Sequence, residues 1–236
     1  MKRIRHILRW VFGLFFGTTI LAVVAYRFLP VYITPLMVIR SVENITEGCS
    51  PFWHHSWVRL QDMSKYMPVA VIASEDQRFT SHHGFDFKAI EDAAEYNARH
   101  RTADGKATKV RGASTITQQT AKNVFLWPGT SMVSRWTRKG FETYFTFLIE
   151  LIWGKERIME IYLNSIEMGN SIYGVQAVAE ENFGCDASEL TRSQCALIAA
   201  TLPNPRKYSS KEPSQYMFQR QREIQVQMKY IPLFTK

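Results

Sequence analysis

Cysteine is scarce in this chain of 236 residues, and its few cysteines are poorly spaced for metal or redox chemistry. Cys49, Cys185 and Cys195 cannot all pair, and no two of them form a C-x-x-C motif. The six histidines lack the H-E-x-x-H pattern of a zinc enzyme. The sequence therefore predicts free thiols with at most one disulfide, and no zinc site built from protein ligands.

Strand patterns and internal repeats are also missing. No segment sustains the apolar and polar alternation of a β-strand, and no repeat with a period of about 20 to 50 residues is visible. Hydrophobic residues make up 46% of the chain and aromatic residues 13%, which excludes a disordered protein. We expect one mainly α domain with a single core.

The N-terminal segment is basic and then apolar. Residues 1–9 carry four Lys or Arg side chains, and residues 10–26 are uncharged. If Arg27 extends toward water, residues 10–29 are long enough for one transmembrane helix. The basic tail predicts a cytoplasmic N-terminus and an extracytoplasmic domain. The alternative is a cleaved signal peptide, although this apolar run is long for a signal core and no clear A-x-A site follows it.

The rest of the chain divides into a connecting segment and a domain. The breakers Thr34-Pro35 and Ser50-Pro51 predict that residues 30–67 form a linker and the entry to a domain at residues 68–236. Asp86 is placed as the N-cap of a helix that runs to Arg99, and Thr115 begins a capping box. Further helices are predicted at residues 131–153, 155–163 and 195–200, the last with a capping box from Thr191, and from Pro213 to about residue 229.

Two adjacent carboxylates, Glu75 and Asp76, lie between an apolar run and Phe79. A carboxylate in such surroundings has a raised pKa and suits general acid or base catalysis. An isolated acidic pair is more often a solvated turn. Here a polar block at residues 112–123 and a charged group follow, with Ser114, Thr115, Gln118, Gln119, Lys122, Asn123, Arg138, Lys139 and Glu142.

These residue types have a common chemical use if folding brings them into one cleft. A base facing a hydroxyl, with cations nearby, suits the displacement of an anionic leaving group such as a diphosphate. Taken alone, Arg138, Lys139 and Glu142 would be an ordinary solvated network. The net charge of +8 favours anionic lipid or phosphorylated substrates, because a membrane span that exports the domain argues against nucleic acid.

Residues 68–208 resemble the peptidoglycan glycosyltransferases of glycosyltransferase family 51, which have a lysozyme-like domain. The resemblance is to the monofunctional biosynthetic members, and five motifs match in order. They are Glu75-Asp76-x-x-Phe79-x-x-His82-x-Gly84; residues 112–119 with Lys122-Asn123; Arg138-Lys139-x-x-Glu142; residues 155–164; and residues 196–200 running to Pro203-Asn204-Pro205. Ala113 departs from the pattern where a second glycine is more common, which matters only if positive φ is needed there.

The resemblance implies a role for each motif. Glu75 is then the general base that deprotonates the 4-hydroxyl of the acceptor sugar, and Glu142 is a second catalytic glutamate near the donor diphosphate. Asp76, Phe79 and His82 hold the substrate-binding loop in shape. The residues implied to bind phosphates and sugars are Ser114, Thr115, Gln119, Lys122, Asn123, Arg138 and Lys139.

The resemblance also implies an activity and a place in the cell. The family joins lipid II into glycan strands with inversion and releases undecaprenyl diphosphate. It requires no cofactor, although Mg²⁺ or Mn²⁺ assists some members. We therefore expect lipid II, the growing strand and the bacterial inner membrane as partners, a periplasmic domain, and proteins of wall synthesis or division as further candidates. No Ser-x-x-Lys transpeptidase motif set is present, so we expect no transpeptidase activity.

Several alternatives stay open. A lysozyme-like or lytic enzyme also needs an acidic residue, but it does not need Lys122, Arg138 and Lys139. A silent, membrane-tethered scaffold that binds lipid II is the other alternative. The apolar residues between the second and third motifs fit either a lipid-contacting jaw, as in the family, or the core; they are Phe125, Leu126, Trp127, Met132, Val133 and Trp136.

Overall fold

The computed structural model describes residues 2–100, 111–129 and 131–234. The helices are α1 (Lys2–Tyr26), α2 (Pro35–Thr46), α3 (Tyr66–Glu75), α4 (Phe87–Arg99), α5 (Ile116–Phe125), α6 (Met132–Ile152), α7 (Lys155–Ser165), α8 (Val175–Phe183), α9 (Arg192–Thr201) and α10 (Gln215–Gln227). Three short strands, β1 (His54–His55), β2 (Glu167–Gly169) and β3 (Ile172–Tyr173), form a sheet in the order β1-β3-β2. The prediction of a mainly α fold is confirmed.

One core unites the domain. Helix α5 packs against α6 and α7, and α3 packs against α9 and α10. Large side chains that are fully buried, including Phe79, Ile116, Ile149 and Tyr162, come from different elements of the chain. The burial of these apolar side chains makes the largest favourable contribution to the stability of the fold. The core fixes the positions of α3 and α5, which carry the first two motifs.

The predicted helix starts agree with the structure where the signal is local. Asp86 accepts a hydrogen bond from the Ala89 amide, and Thr115 and Thr191 each begin a complete capping box. Pro213 was expected in the first turn of the last helix, but α10 begins two residues later, at Gln215, after the N-cap Ser214. All three cysteines are free, as expected.

The predicted linker is wrong in one part, because residues 35–46 form α2. The Thr34 hydroxyl accepts a hydrogen bond from the Met37 amide at 3.2 Å, and Pro35 occupies the first turn. Thr34-Pro35 is therefore a helix start and not an interruption. Helix α2 packs against α5, which carries much of the second motif.

Helix α1 is long and apolar enough to cross a membrane. Its bounds differ from the expected span, since most of the basic tail is helical and the helix ends at Tyr26. Arg27 donates a hydrogen bond to the Ile152 carbonyl at 2.5 Å, so it is tied to α6. The Trp153 indole donates to the Val23 carbonyl at 2.7 Å, and Arg157 donates to the Tyr26 carbonyl. The last turn of α1 is thus attached to α6 and α7.

The apolar segment between the second and third motifs divides between core and surface. Leu126 is buried, and the Phe125 ring stacks on Phe145 with centroids 4.5 Å apart. In contrast, Met132, Val133 and Trp136 at the start of α6 are each more than 70% exposed. The core interpretation holds for the first group, and the second group presents an apolar surface at one end of α6.

Candidate active site

Glu75 is the last residue of α3, and its carboxylate is held by neutral donors. The Gln119 side-chain amide donates to Glu75 Oε2 at 2.9 Å, and the Ser74 hydroxyl contacts Oε1 at 3.4 Å. Gln119 in turn accepts a hydrogen bond from the Tyr162 hydroxyl at 3.1 Å. Burial raises the pKa of Glu75, and these hydrogen bonds only partly oppose that effect. A carboxylate with a raised pKa, whose hydrogen-bond donors in the described part of the chain are neutral, is suited to accept a proton.

Asp76 is adjacent in sequence but has a different environment. Its carboxylate accepts hydrogen bonds from His82 Nε2 at 2.9 Å and from the Ile116 amide at 3.0 Å. It therefore joins the loop after α3 to the first turn of α5. Phe79 is fully buried, with the Lys155 ammonium 4.5 Å from the centre of its ring. Asp76, Phe79 and His82 are thus bonded or packed within this loop, and their role in substrate binding stays a prediction.

Thr115 has a structural position at the start of α5. Its hydroxyl donates to the Gly84 carbonyl at 2.6 Å and accepts from the Gln118 amide at 3.2 Å. Only 2% of the residue is exposed. The resemblance implied direct contact of Thr115 with a sugar or phosphate, and this burial disagrees with such contact.

Gly84 has φ of +84°, and a Cβ there would lie 2.9 Å from Thr146, so glycine is needed at this contact. Ala113 does not have positive φ, so its departure from the family pattern is harmless.

The cation cleft is a cavity of about 220 Å³ between α2, α5, α6 and the segment after α9. Its charged lining residues, among those the structure describes, are Arg40, Lys122, Arg138 and Glu167. Gln119, Asn123 and Tyr162 supply polar groups to the same lining. Burial lowers the pKa of Lys122, and the charge of Arg138 lowers it further, whereas Glu142 and Glu75 oppose both effects. The predicted residues Gln119, Lys122, Asn123 and Arg138 are therefore brought together.

The base cleft is a second cavity of about 570 Å³, on the Glu75 side of Gln119. Its lining includes Glu75 and the exposed Ser114, together with Arg111 and Arg220. Gln119 lines the cation cleft and bonds to Glu75, so the two clefts meet at this hydrogen bond. The arrangement places a proton acceptor beside one cavity and cations beside the next.

Glu142 and Lys139 form a pair on α6. The Lys139 ammonium lies 2.5 Å from Glu142 Oε1, and the residue Glu142 is only 4% exposed. The charge of Glu142 nevertheless affects the pKa of Lys122, so this carboxylate is near the cation cleft. Lys139 was predicted to bind phosphates or sugars, but it is paired with Glu142.

A group of three residues near the loop has metal-ligand chemistry. Ligand atoms of Asp76, His82 and Asp86 lie within 4.8 Å of one another. Arg78 bonds to both Asp86 oxygens, and Asp76 is bonded to His82 and the Ile116 amide. A cation at this point would have to displace the Arg78 guanidinium, so the group fits a structural network better than a metal site.

Several residues of the clefts had no role assigned from the sequence, and Tyr162, Arg220 and Arg40 are the ones that bear on the chemistry. Tyr162 lies inside the fourth motif, and its position there was the only available signal. Arg220 on α10 lines the base cleft, and Arg40 on α2 lines the cation cleft. Both arginines are distant in sequence from the motifs, and only the tertiary packing of their helices shows their position.

Comparison with known proteins agrees with this geometry. A family model described as Transglycosylase matches residues 45–229, a longer stretch than the five motifs. A protein named biosynthetic peptidoglycan transglycosylase from Bacteroides thetaiotaomicron is 56% identical over 98% of this chain and 90% of its own length. Proteins of the same name from Bdellovibrio bacteriovorus and Xanthomonas campestris pv. campestris are 50% identical over 89% of this chain (80% of that protein) and 46% identical over 98% (91%). The chain belongs to the transglycosylase family.

Proposed function

We propose that the protein is a peptidoglycan glycosyltransferase that polymerises lipid II into glycan strands with release of undecaprenyl diphosphate. The observation that carries this proposal is the position of Glu75 at the junction of the base cleft and the cation cleft. The names of the relatives support it, because these proteins are called biosynthetic peptidoglycan transglycosylases.

The reaction follows from the two clefts. An acceptor sugar in the base cleft loses the proton of its 4-hydroxyl to Glu75, and the oxygen attacks the anomeric carbon of the donor. The bond from that carbon to the diphosphate oxygen breaks, and the diphosphate leaves with the bonding electrons. Lys122 and Arg138 stabilise the negative charge that develops on it. Attack opposite the leaving group inverts the anomeric carbon.

Gln119 has a positioning role in this scheme. Its amide orients the Glu75 carboxylate, and the buried Tyr162 hydroxyl fixes the amide orientation. A neutral donor holds the base without lowering its pKa as strongly as a cation would. The chemistry uses acid, base and electrostatic groups of this chain and needs no cofactor; whether Mg²⁺ or Mn²⁺ assists is answered by adding a chelator.

The cellular setting belongs to the same proposal. Helix α1 fits a membrane anchor, and we place it in the inner membrane with its basic end in the cytoplasm and the domain in the periplasm. Lipid II is held in the bilayer by its polyprenyl chain, so an anchored enzyme meets it at high local concentration. The exposed residues Met132, Val133 and Trp136 suit contact with lipid.

The test is incubation of the purified full-length protein with lipid II in detergent, with and without chelator. Long glycan chains, separated by gel electrophoresis, are the expected product. Release of short muropeptides from finished wall without polymer would favour a lytic enzyme. Binding of lipid II with neither product would favour a scaffold.

A further inference from the structure

Two arginines that line the cation cleft each have a buried Nε atom for which the described part of the chain supplies no hydrogen-bond partner. Arg138 is on α6, and Arg40 is on α2. Buried polar groups in folded proteins nearly always have partners, so unpaired donors call for an explanation. Two such donors in the lining of one cavity point to a ligand that brings acceptor oxygens.

Among the described residues, Glu43 is the hydrogen-bond partner of the Arg40 guanidinium. Its Nη1 atom lies 2.5 Å from Glu43 Oε2, one turn along α2, whereas Nε is 3.9 Å from Glu167 Oε2, too far for a hydrogen bond. A guanidinium has five N–H donors, so Arg40 can keep Glu43 and still bind another anion. Burial raises the pKa of Glu167, which reduces the repulsion that this carboxylate would exert on such an anion.

Helix α2, which carries Arg40, is anchored to neighbouring segments of the chain. Asn44 donates a hydrogen bond to the Ser171 hydroxyl at 2.9 Å, and the Ser41 hydroxyl donates to the Pro51 carbonyl at 2.5 Å. Leu36 of the same helix also lines the cation cleft. The family model begins its match at residue 45, so Arg40 lies outside the stretch that this model covers. One wall of the cleft is thus supplied by a helix that lies almost entirely before that stretch.

We propose that Arg40 binds the diphosphate of the lipid-linked donor together with Lys122 and Arg138. The identity of the ligand rests on the proposed function, whereas the presence of an anion site rests on the cleft itself. Three cations from three helices outnumber the single carboxylate of Glu167 in the described lining. A diphosphate offers acceptor oxygens on two phosphorus atoms, which suits several donors arranged around a cavity.

The experiment measures binding of undecaprenyl diphosphate to the full-length protein in detergent micelles, with undecaprenol as the ligand without phosphate. Arg40→Gln should raise the Kd for undecaprenyl diphosphate about tenfold, as loss of a charge-assisted hydrogen bond does. Binding of undecaprenol should not change. Arg40→Lys, which keeps the charge but loses the guanidinium, should give an intermediate Kd and also serves if Arg40→Gln fails to fold.

Two control variants separate ligand binding from the ion pair. Glu43→Gln removes the helical partner of Arg40 but keeps the cation, and Arg59→Gln removes an exposed arginine that has the same i,i+3 pairing, with Asp62. Both should bind undecaprenyl diphosphate within about twofold of the wild type. An unchanged Kd in Arg40→Gln, or an equal loss in Glu43→Gln, would overturn the inference.

The readout distinguishes this inference from the proposed function, because it needs no turnover. A wild-type protein that binds undecaprenyl diphosphate through Arg40 but makes no glycan would refute the function and keep the site. A wild-type protein that polymerises lipid II while Arg40→Gln keeps the same Kd would refute the site alone. Failure of the wild-type protein to bind undecaprenyl diphosphate would overturn the inference as well.

Discussion

Glu75 and Glu142 belong to the same residue type but have contrasting surroundings. Glu75 receives its hydrogen bonds from the neutral side chains of Gln119 and Ser74, and burial raises its pKa. Glu142 is more deeply buried but has the Lys139 ammonium 2.5 Å away. Among the described residues only neutral side chains donate hydrogen bonds to the Glu75 carboxylate, which leaves it poised to take a proton, whereas an ammonium holds the Glu142 carboxylate. From this contrast we propose proton transfer for Glu75 and electrostatic support for Glu142.

The largest expected effect is at Glu75. Glu75→Gln removes the proton acceptor but keeps the shape and the contact with Gln119, so polymerisation of lipid II should fall by about 10² to 10⁴-fold. Lipid II binding should largely survive, since the cation cleft is unaltered. Glu95→Gln, at an exposed glutamate paired with Arg99, is the matched control. Full activity of Glu75→Gln would end the assignment of the base.

Lys122 tests the cation side of the junction. Lys122→Met removes a charge that stabilises the leaving diphosphate, and turnover should fall by about 10²-fold. Because the pKa of Lys122 is lowered, activity of the wild type should decline as pH rises through that pKa. The exposed Lys65 provides the control substitution, Lys65→Met. Activity close to wild type in Lys122→Met would remove this lysine from the mechanism.

Substitution of Glu142 should reduce activity less than substitution of Glu75 or Lys122, and it should also change the pH dependence of the activity. Glu142→Gln removes a charge that raises the pKa of Lys122, so Lys122 should lose its proton at a lower pH. We expect polymerisation to fall about tenfold at neutral pH, with the alkaline limb of the rate profile moved to lower pH. A loss as large as that of Glu75→Gln, with an unmoved alkaline limb, would instead indicate direct participation of Glu142 in the reaction.

The smallest effect concerns stability. Burial raises the pKa of Glu75 in the folded protein, so wild-type stability is lost as pH rises through the folded pKa. Glu75→Gln should therefore be the more stable protein above that pH, by about 1.4 kcal/mol for each unit of the shift. Below the ordinary range of a glutamate pKa the two should unfold alike. Thermal unfolding at several pH values measures the difference, and equal stability throughout would contradict the raised pKa.

Local signals in the sequence predicted local structure well. The capping boxes at Thr115 and Thr191 and the N-cap Asp86 depend on contacts within a few residues, so a motif specifies them. The raised pKa of Glu75 was also predicted, from its apolar surroundings and from its adjacency to Asp76. Burial is its main cause, and Asp76 is bonded instead to His82 and Ile116.

Tertiary packing determines what the sequence could not show. Lys139 was grouped with Arg138 because the two are adjacent, yet Lys139 pairs with Glu142 while Arg138 lines the cation cleft. Arg40 was placed in a linker, since nothing nearby indicates that α2 packs against α5. Thr115 matched a motif, but its hydroxyl is hydrogen-bonded to backbone groups, the Gly84 carbonyl and the Gln118 amide. In each case the partner is set by helices that meet only in the folded protein.

The attachment of α1 to α6 and α7 has a consequence for how substrates arrive. Trp153 and Arg157 bond to the final carbonyls of α1, so the domain cannot swing freely on a flexible stalk. With α1 in a bilayer, the mouth of each cavity would keep a constant height above the lipid. Substrates carried on a polyprenyl chain would then reach the cavities by sliding sideways in the membrane plane, without having to leave it.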